Sequence, residues 1–350
     1  MQPTNALPDQ RESGVIPRIT AGRVTNAGAP TIRTGRRLVR STPSKLADRM
    51  FHGIVLLCGI SVLAILGLIV YELIQNSKLS IDAFGWKFFT RSVWDPVLGE
   101  FGALPFVYGT LVSSFLALVL AVPAAVGVAV FVTDMAPRFL RFPLSFLVEL
   151  LAAIPSVIYG LWAIFVLSPL LREYVQPWLA KTFGWTGLFT GPQYGFGMLA
   201  AGVILAIMIV PIISSVTREI MEAVPRHQRE AALALGATRW EMIRIGVLRN
   251  ARAGIFGAVI LGLGRAIGET MAVTMVIGNR PEIAKSLFAP GYTMASVIAN
   301  EFSEATDDLY LSALVEVGLA LLAVTLLVNT LARLLVWSVT RGTPAASHAQ

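Results

Sequence analysis

One cysteine, Cys58, and three histidines, His52, His227 and His348, are all that this 350-residue chain holds of the side chains that build disulfides, zinc sites and imidazole catalysis. A lone thiol cannot close an internal disulfide, and groups so few and so scattered do not make a histidine/cysteine metal site. Charge is scarce as well: 14% of residues are charged and 55% are hydrophobic, where soluble domains carry about 25% and 45–50%. That balance excludes a water-soluble globule. The chain also lacks the Gly-x-x-x-x-Gly-Lys-Ser/Thr loop that cradles nucleotide phosphates, the His-Glu-x-x-His of zinc proteases and the Gly-x-Ser-x-Gly of serine hydrolases.

What it has in abundance is long apolar sequence. Six runs reach the roughly 20 residues needed to cross about 30 Å of hydrocarbon; they cover residues 51–71, 103–132, 142–171, 194–217, 253–278 and 311–332. The second and third exceed that length and contain Pro123 and Pro155, which predicts tilt and kinks. Pro155 and Pro211 are candidate hinges. Lys and Arg fall on alternate connecting pieces, 20 against 7, with Arg265 left inside a span. Positive-inside bias then puts both termini in the cytoplasm and accounts for the net charge of +7 without nucleic acid. The expected fold is an all-α membrane protein of six transmembrane helices.

Residues 1–50 mix Pro, Gly, Thr and Arg without apolar periodicity and read as a disordered basic cytoplasmic tail. Its Arg33, Arg36, Arg37, Arg40, Lys45 and Arg49 either attract anionic lipid or merely set orientation. Residues 51–340 form the six-helix domain and 341–350 a short C-terminal tail. Between the first two runs, Ile81, Phe84, Phe88 and Phe89, with Trp86 and Trp94 nearby, predict a short helix in the membrane interface. The last outer loop carries Glu282, Glu301, Glu304, Asp307 and Asp308, a solvated acidic surface or part of a docking face. Glu149 and Glu316 lie inside runs and are expected to reach an interface or a helix partner.

The cytoplasmic loop 218–252 is too organised for a spacer. Pro225 suits a helix start, residues 226–235 are mostly good helix formers, and Gly236 stands where a left-handed C-terminal cap would sit. Thr238 and Glu241 then form a capping-box pattern that opens a second helix. Ala231-Ala232-Leu233-Ala234-Leu235 is too short to enter the bilayer and too apolar to be left in water. Such a smooth helix either inserts into a groove on a cytosolic partner or packs on its own membrane domain. A helix-turn-helix DNA reader is excluded by the membrane spans tethering both ends.

In the fifth run, Arg265 lies near the middle, where insertion scales charge about 2.5–3.5 kcal/mol for arginine. Glu269 is one helical turn on, and an i,i+4 pair returns only about 0.2–0.5 kcal/mol in water. The pair should therefore face a polar cavity or other helices. A guanidinium fork matches oxyanion geometry, which makes Arg265 a candidate anion contact, with Glu269 orienting the fork or repelling the anion; a neutralised structural pair is the other reading. Thr270 follows directly. Gly262, Gly264 and Gly268 read as packing positions.

Glu230-Ala231-Ala232, three residues and Gly236 resemble the EAA loop of ABC importer permeases. The pattern keeps Leu248 but has Gly246 where the family has isoleucine and Arg249 where it has proline. FGALPFVYGT at 101–110, LLAAIPSVIYGLW at 150–162 and GRAIGETMAV at 264–273 are similar to permease subunits of bacterial high-affinity phosphate importers, over about residues 50–340. The resemblance implies the type I ABC importer permease fold in the bacterial inner membrane, and a transport subunit that is not an enzyme. It also implies a homologous second permease, two cytosolic ATPase subunits that use ATP and magnesium, and a periplasmic or surface-tethered phosphate-binding protein. Glu230, Ala231, Ala232 and Gly236 would contact the ATPase; Arg265, Glu269 and Thr270 would line the substrate path, and no cofactor would be bound by this chain. A permease for sulfate or molybdate is the nearest alternative, and an ion-gradient-driven transporter a more distant one.

Overall fold

The computed structural model describes residues 45–340, and within these the chain is helical. The expected tails at 1–44 and 341–350 lie outside the described residues. The tail boundary at residue 50 moves, however, because α1 (Lys45–Asn76) already begins at Lys45. By its contacts the chain divides into residues 1–59 and 60–350. The first unit contributes the opening of α1, whose side chains from Asp48 to Gly59 are all exposed.

In the second unit, α2 (Lys78–Phe84) and a 3₁₀ turn at Gly85–Phe89 form the expected short helical segment. It is anchored rather than merely adsorbed: Phe88 is fully buried, and Ser80 Oγ donates to the buried Glu316 carboxylate while Ser80 N donates to Ser312 Oγ at 3.2 Å. Glu316 is thus a tie between α2 and α14 (Asp308–Thr340).

The core is built on α3 (Leu104–Val130) and α8 (Met198–Glu222), with α11 (Arg249–Ile267) packed on both. Ala117, Ala121 and Ala125 recur every four residues on α3 and are fully buried, facing a cluster that holds Ala200, Ala201, Ile204 and Leu205 of α8. Small residues let membrane helices approach closely, which replaces the hydrophobic drive absent between lipid-bathed helices. At Gly109 the approach is tightest, since a Cβ there would lie 2.1 Å from the Tyr292 carbonyl oxygen. Backbone cannot swing aside as a side chain can, so Gly109→Ala is expected to cost about 1–3 kcal/mol and to lower the thermal midpoint of the purified protein. An unchanged midpoint would contradict this contact.

Around Tyr292 a second cluster gathers Trp94, Phe101, Phe106 and Tyr310. Glu301, at the end of α13 (Met294–Glu301), accepts from Trp94 Nε1 at 2.8 Å and Tyr310 Oη at 2.7 Å. This acid of the outer loop is therefore a structural acceptor. Burial pushes the Tyr292 phenol above its ordinary pKa, with the Asn300 amide donating to its oxygen at 2.8 Å.

Among the described residues, six helical stretches are long and apolar enough to cross a membrane: Asp48–Asn76, Leu104–Met135, Ser156–Thr186, Met198–Glu222, Arg239–Ile267 and Asp308–Ser338. Two differ from expectation. The third run of sequence, 142–171, is not one helix: α4 (Arg138–Ala153) is separate and without buried residues, and the span starts with α5 (Ser156–Trp162). Pro155 has φ −59° and ψ 140° and breaks the chain between them instead of kinking one rod; a proline disfavours helical geometry in the residue before it. Glu149 consequently lies on α4, paired with Arg218 at 2.8 Å. The span continues through short helical pieces α6 (Ser168–Leu170) and α7 (Gln176–Phe183), so residues expected in an outer loop extend it to Thr186.

The fifth span is displaced the other way. It begins at Arg239 and ends at Ile267, because α9 (Arg226–Ala234) is followed by α10 (Arg239–Glu241) and a π-helical stretch Met242–Leu248 that runs straight into α11. With Arg249 in place of the family proline, nothing interrupts the ladder there.

Candidate functional site

The end of α11 sets the geometry of the Arg265–Glu269 pair. Arg265 lies in its last turn, Gly268 is the C-cap, and Glu269 and Thr270 form a non-helical break before α12 (Met271–Thr274). A cation in the last turn of a helix complements the unpaired carbonyls there. The Arg265 guanidinium meets a Glu269 oxygen at 3.4 Å, with the arginine side chain 50% exposed and the glutamate 4%. The other Glu269 oxygen accepts from the Ala272 backbone N–H at 3.4 Å, across the break. The carboxylate is thus buried and held from two sides, while the guanidinium it steadies stays accessible.

Accessible means facing open space on two sides. One groove of about 550 Å³ runs along Gly257, Leu261 and Gly264 to Asn329 and Arg333; another of about 310 Å³ is bordered by Leu151, Tyr159 and Met208. Arg265 lines both. Tyr159 closes the Pro155 break by donating to the Leu151 carbonyl at 2.8 Å, which at the end of α4 otherwise accepts only a longer bond, from Ile154 N–H at 3.4 Å. Thr270 donates weakly to Gly268 O at 3.4 Å and its own carbonyl accepts from Thr274 Oγ1 at 2.8 Å, so it shapes the break.

The glycines separate by role. A Cβ at Gly262 would come within 2.6 Å of Ile213 Cδ1, a close packing position against α8, whereas at Gly264 it would meet nothing within 4 Å. Gly264 instead forms part of the groove wall. Gly268 would meet only the Gly264 carbonyl, at 3.5 Å. Pro211 is buried inside α8.

The second set of residues lies on α9. Its Gln228, Arg229 and Ala232 are partly buried, whereas Glu230, Ala231, Leu233, Ala234 and Leu235 are exposed, Leu235 to 90%. One side of α9 rests on the π-helical stretch, where Gly246 permits contact: a Cβ there would be 3.3 Å from the Gln228 carbonyl. The apolar side is uncovered. Gly236 has φ +83°, and its N–H donates to Leu233 O at 2.9 Å while Ala237 N–H donates to Ala232 O at 3.2 Å, a left-handed cap that ends the helix abruptly. The Thr238–Glu241 capping box forms and starts the next helix.

Two ties between α9 and the membrane helices were not legible in the sequence. Arg229 pairs with Asp134 at 3.2 Å, at the end of the α3 span, and also donates to Met221 O at 2.8 Å. Gln228 accepts from Asn250 Nδ2, at the start of α11, at 2.7 Å. The single available signal was Asp134 itself, a lone carboxylate closing a long apolar run. Its side chain is 6% exposed, and stripping a buried charge of its partner costs about 3–5 kcal/mol. Arg229→Ala is therefore expected to loosen α9, speeding amide exchange over residues 226–235 about 100-fold; unaltered exchange there would dismiss the tie.

Comparison with known proteins adds to this geometry. The family model for "Binding-protein-dependent transport system inner membrane component" matches residues 40–341. The phosphate transport system permease protein PstC of Mesorhizobium japonicum is 47% identical over 82% of this chain and 89% of its own length. Its counterpart from Haemophilus influenzae is 44% identical over 83% and 93%. Among solved structures, an inward-facing MetNI methionine ABC transporter superposes with a TM-score of 0.51 over 71% of this chain and the whole of that one, at 18% identity, which shows a shared fold. With six apolar helices and the permease fold in place, the chain is a multi-pass membrane protein that belongs to the binding-protein-dependent transport system inner membrane components, among the PstC permeases.

Proposed function

We propose that this chain is the permease subunit of an ATP-driven phosphate importer of the bacterial cytoplasmic membrane. It forms the path with a homologous second permease by alternating access, takes phosphate from a binding protein outside, and is moved by two cytosolic ATPase subunits. The relatives' names supply the substrate. The observation that carries the mechanism is Arg265: a guanidinium fixed on one side by a buried carboxylate and open on the other to two grooves.

From this arrangement the roles follow. Arg265 offers two N–H donors in a plane to a tetrahedral oxyanion, and Glu269 both orients the fork and offsets its charge so that the anion is not held permanently. Exposed Ala231, Leu233 and Leu235 supply an apolar knob for a cleft on the ATPase, while Arg229–Asp134 and Gln228–Asn250 pass its displacement to α3 and α11. Both termini are then cytoplasmic. The chain carries out no chemistry on the ion. The test is ATP-dependent uptake of labelled phosphate, sulfate and molybdate by vesicles containing the chain with its second permease and ATPase subunits. Preference for phosphate is the expected result; faster sulfate or molybdate uptake would reassign the substrate, and uphill uptake without the ATPase would overturn the coupling.

A further inference from the structure

Positive charge is rare on the membrane side opposite α9. Residues 172–193 carry two cations and residues 279–310 two more, and one from each stretch, Arg172 and Arg280, lines the same cleft of about 520 Å³. Gln193, Tyr194, Phe196, Gly278 and Pro290 complete the cleft, so among the described residues no carboxylate lines it. The nearest carboxylate to either arginine among the described ion pairs is Glu173, 3.8 Å from Arg172 and itself 56% exposed, a contact too long and too wet to neutralise the guanidinium.

The cleft is also built, in the sense that its walls are fixed by the backbone. Leu287 N–H donates to Leu188 O and Leu199 N–H to Leu287 O, both at 2.8 Å; Gly197 N–H donates to Val276 O at 2.9 Å and Met198 N–H to Ala289 O at 3.1 Å. These bonds join the segment before α8 to the segment after α12. Gln176 reaches from α7 to accept from Gly195 N–H at 3.1 Å. Gly278, at φ +91°, lets the chain turn against Pro290, where a Cβ would come within 2.8 Å. The two guanidinium groups are therefore brought to one concavity by elements about a hundred residues apart.

We infer that this cleft is a second oxyanion subsite, at the outer mouth of the path, which captures a free tetrahedral phosphate ion before it reaches Arg265. The inference rests on the import reading given above. Two uncompensated guanidinium groups in a concave wall raise the local concentration of an anion, and their forks accept its oxygens. Capture there keeps a released ion from diffusing back to the medium while the path opens inward.

The test is protection of each arginine from phenylglyoxal, read by peptide mass spectrometry on the chain assembled with its second permease and ATPase subunits in phosphatidylcholine nanodiscs. Inorganic phosphate should slow modification of Arg172 and Arg280 at least threefold relative to chloride at equal ionic strength, leaving exposed Arg91 unaffected. In Arg280→Gln, protection of Arg172 should disappear. Equal protection of Arg91, protection of one arginine that survives loss of the other, or no protection at all would overturn the subsite. So would protection seen only with phosphatidylglycerol present, which would make the ligand a lipid headgroup, or only with the binding protein present, which would make the cleft a protein-docking face. Because no uptake is measured, these outcomes are independent of whether the transport assay succeeds.

Discussion

Phosphate uptake by Arg265→Ala vesicles is expected to fall at least about 100-fold. The figure comes from two charge-assisted hydrogen bonds of about 1.5–3 kcal/mol each lost where the ion passes, at 1.4 kcal/mol per tenfold. Alone, this variant is ambiguous, because it strands Glu269, whose side chain is 4% exposed, and an orphaned buried carboxylate destabilises whatever surrounds it. The double variant Arg265→Ala/Glu269→Gln resolves the ambiguity. It removes both charges while the glutamine oxygen still accepts from the Ala272 N–H, and replacing a buried ion pair as a unit is commonly close to neutral for stability. If the pair only joins structure, the double variant regains uptake; if Arg265 touches the anion, uptake stays lost although the protein folds. Arg265→Lys should fall between, keeping charge and losing the planar fork. Recovery in the double variant would end the substrate role.

Much of this was readable from residue order, and where it was not, the reason is physical. Periodicity and hydropathy locate apolar runs but do not say where backbone geometry interrupts them. Residues 142–171 read as one span because α4 is apolar enough to continue it; Pro155, read as a kink, is a complete break. Likewise 253–278 read as one helix with Arg265 at its centre, whereas Gly268 caps it and places the arginine in the last turn. The i,i+4 spacing to Glu269 survives because the carboxylate is pinned across the break by Ala272 N–H. Relations between distant segments leave still less trace: the pairing of Arg229 with Asp134, and the single groove that Arg265 and Arg333 both line, need the packed helices to be seen. Arg333 stands just past the sixth apolar run, where its position in the sequence assigns it no role. Local chemistry, by contrast, was fully legible. The Thr238–Glu241 box and the left-handed Gly236 depend on four or five consecutive residues and nothing else.

Gly236→Glu is expected to reduce uptake at least tenfold while ATP hydrolysis continues and the ATPase subunits still copurify. Within this chain a Cβ at position 236 meets nothing within 4 Å, so bulk there harms only what docks from outside. The backbone does object, since φ +83° costs a non-glycine residue about 1–2 kcal/mol, and that strain alone could fray the helix end on which Leu233 and Leu235 are displayed. Gly236→Asn separates the two effects: asparagine tolerates the left-handed region, so the cap should survive with only a small, neutral side chain added. The asparagine variant should therefore retain more uptake than the glutamate variant, and Gly236→Ala, strained but slim, should fall between them. Leu235→Ser approaches the same surface from another side. Covering a leucine is worth about 1.5–3 kcal/mol, and this one is 90% exposed, so its replacement should weaken ATPase docking without lowering the chain's own thermal midpoint. Wild-type uptake in Gly236→Glu would sever the link between this helix and the motor. A lowered midpoint in Leu235→Ser would show instead that α9 is held down by its own membrane domain.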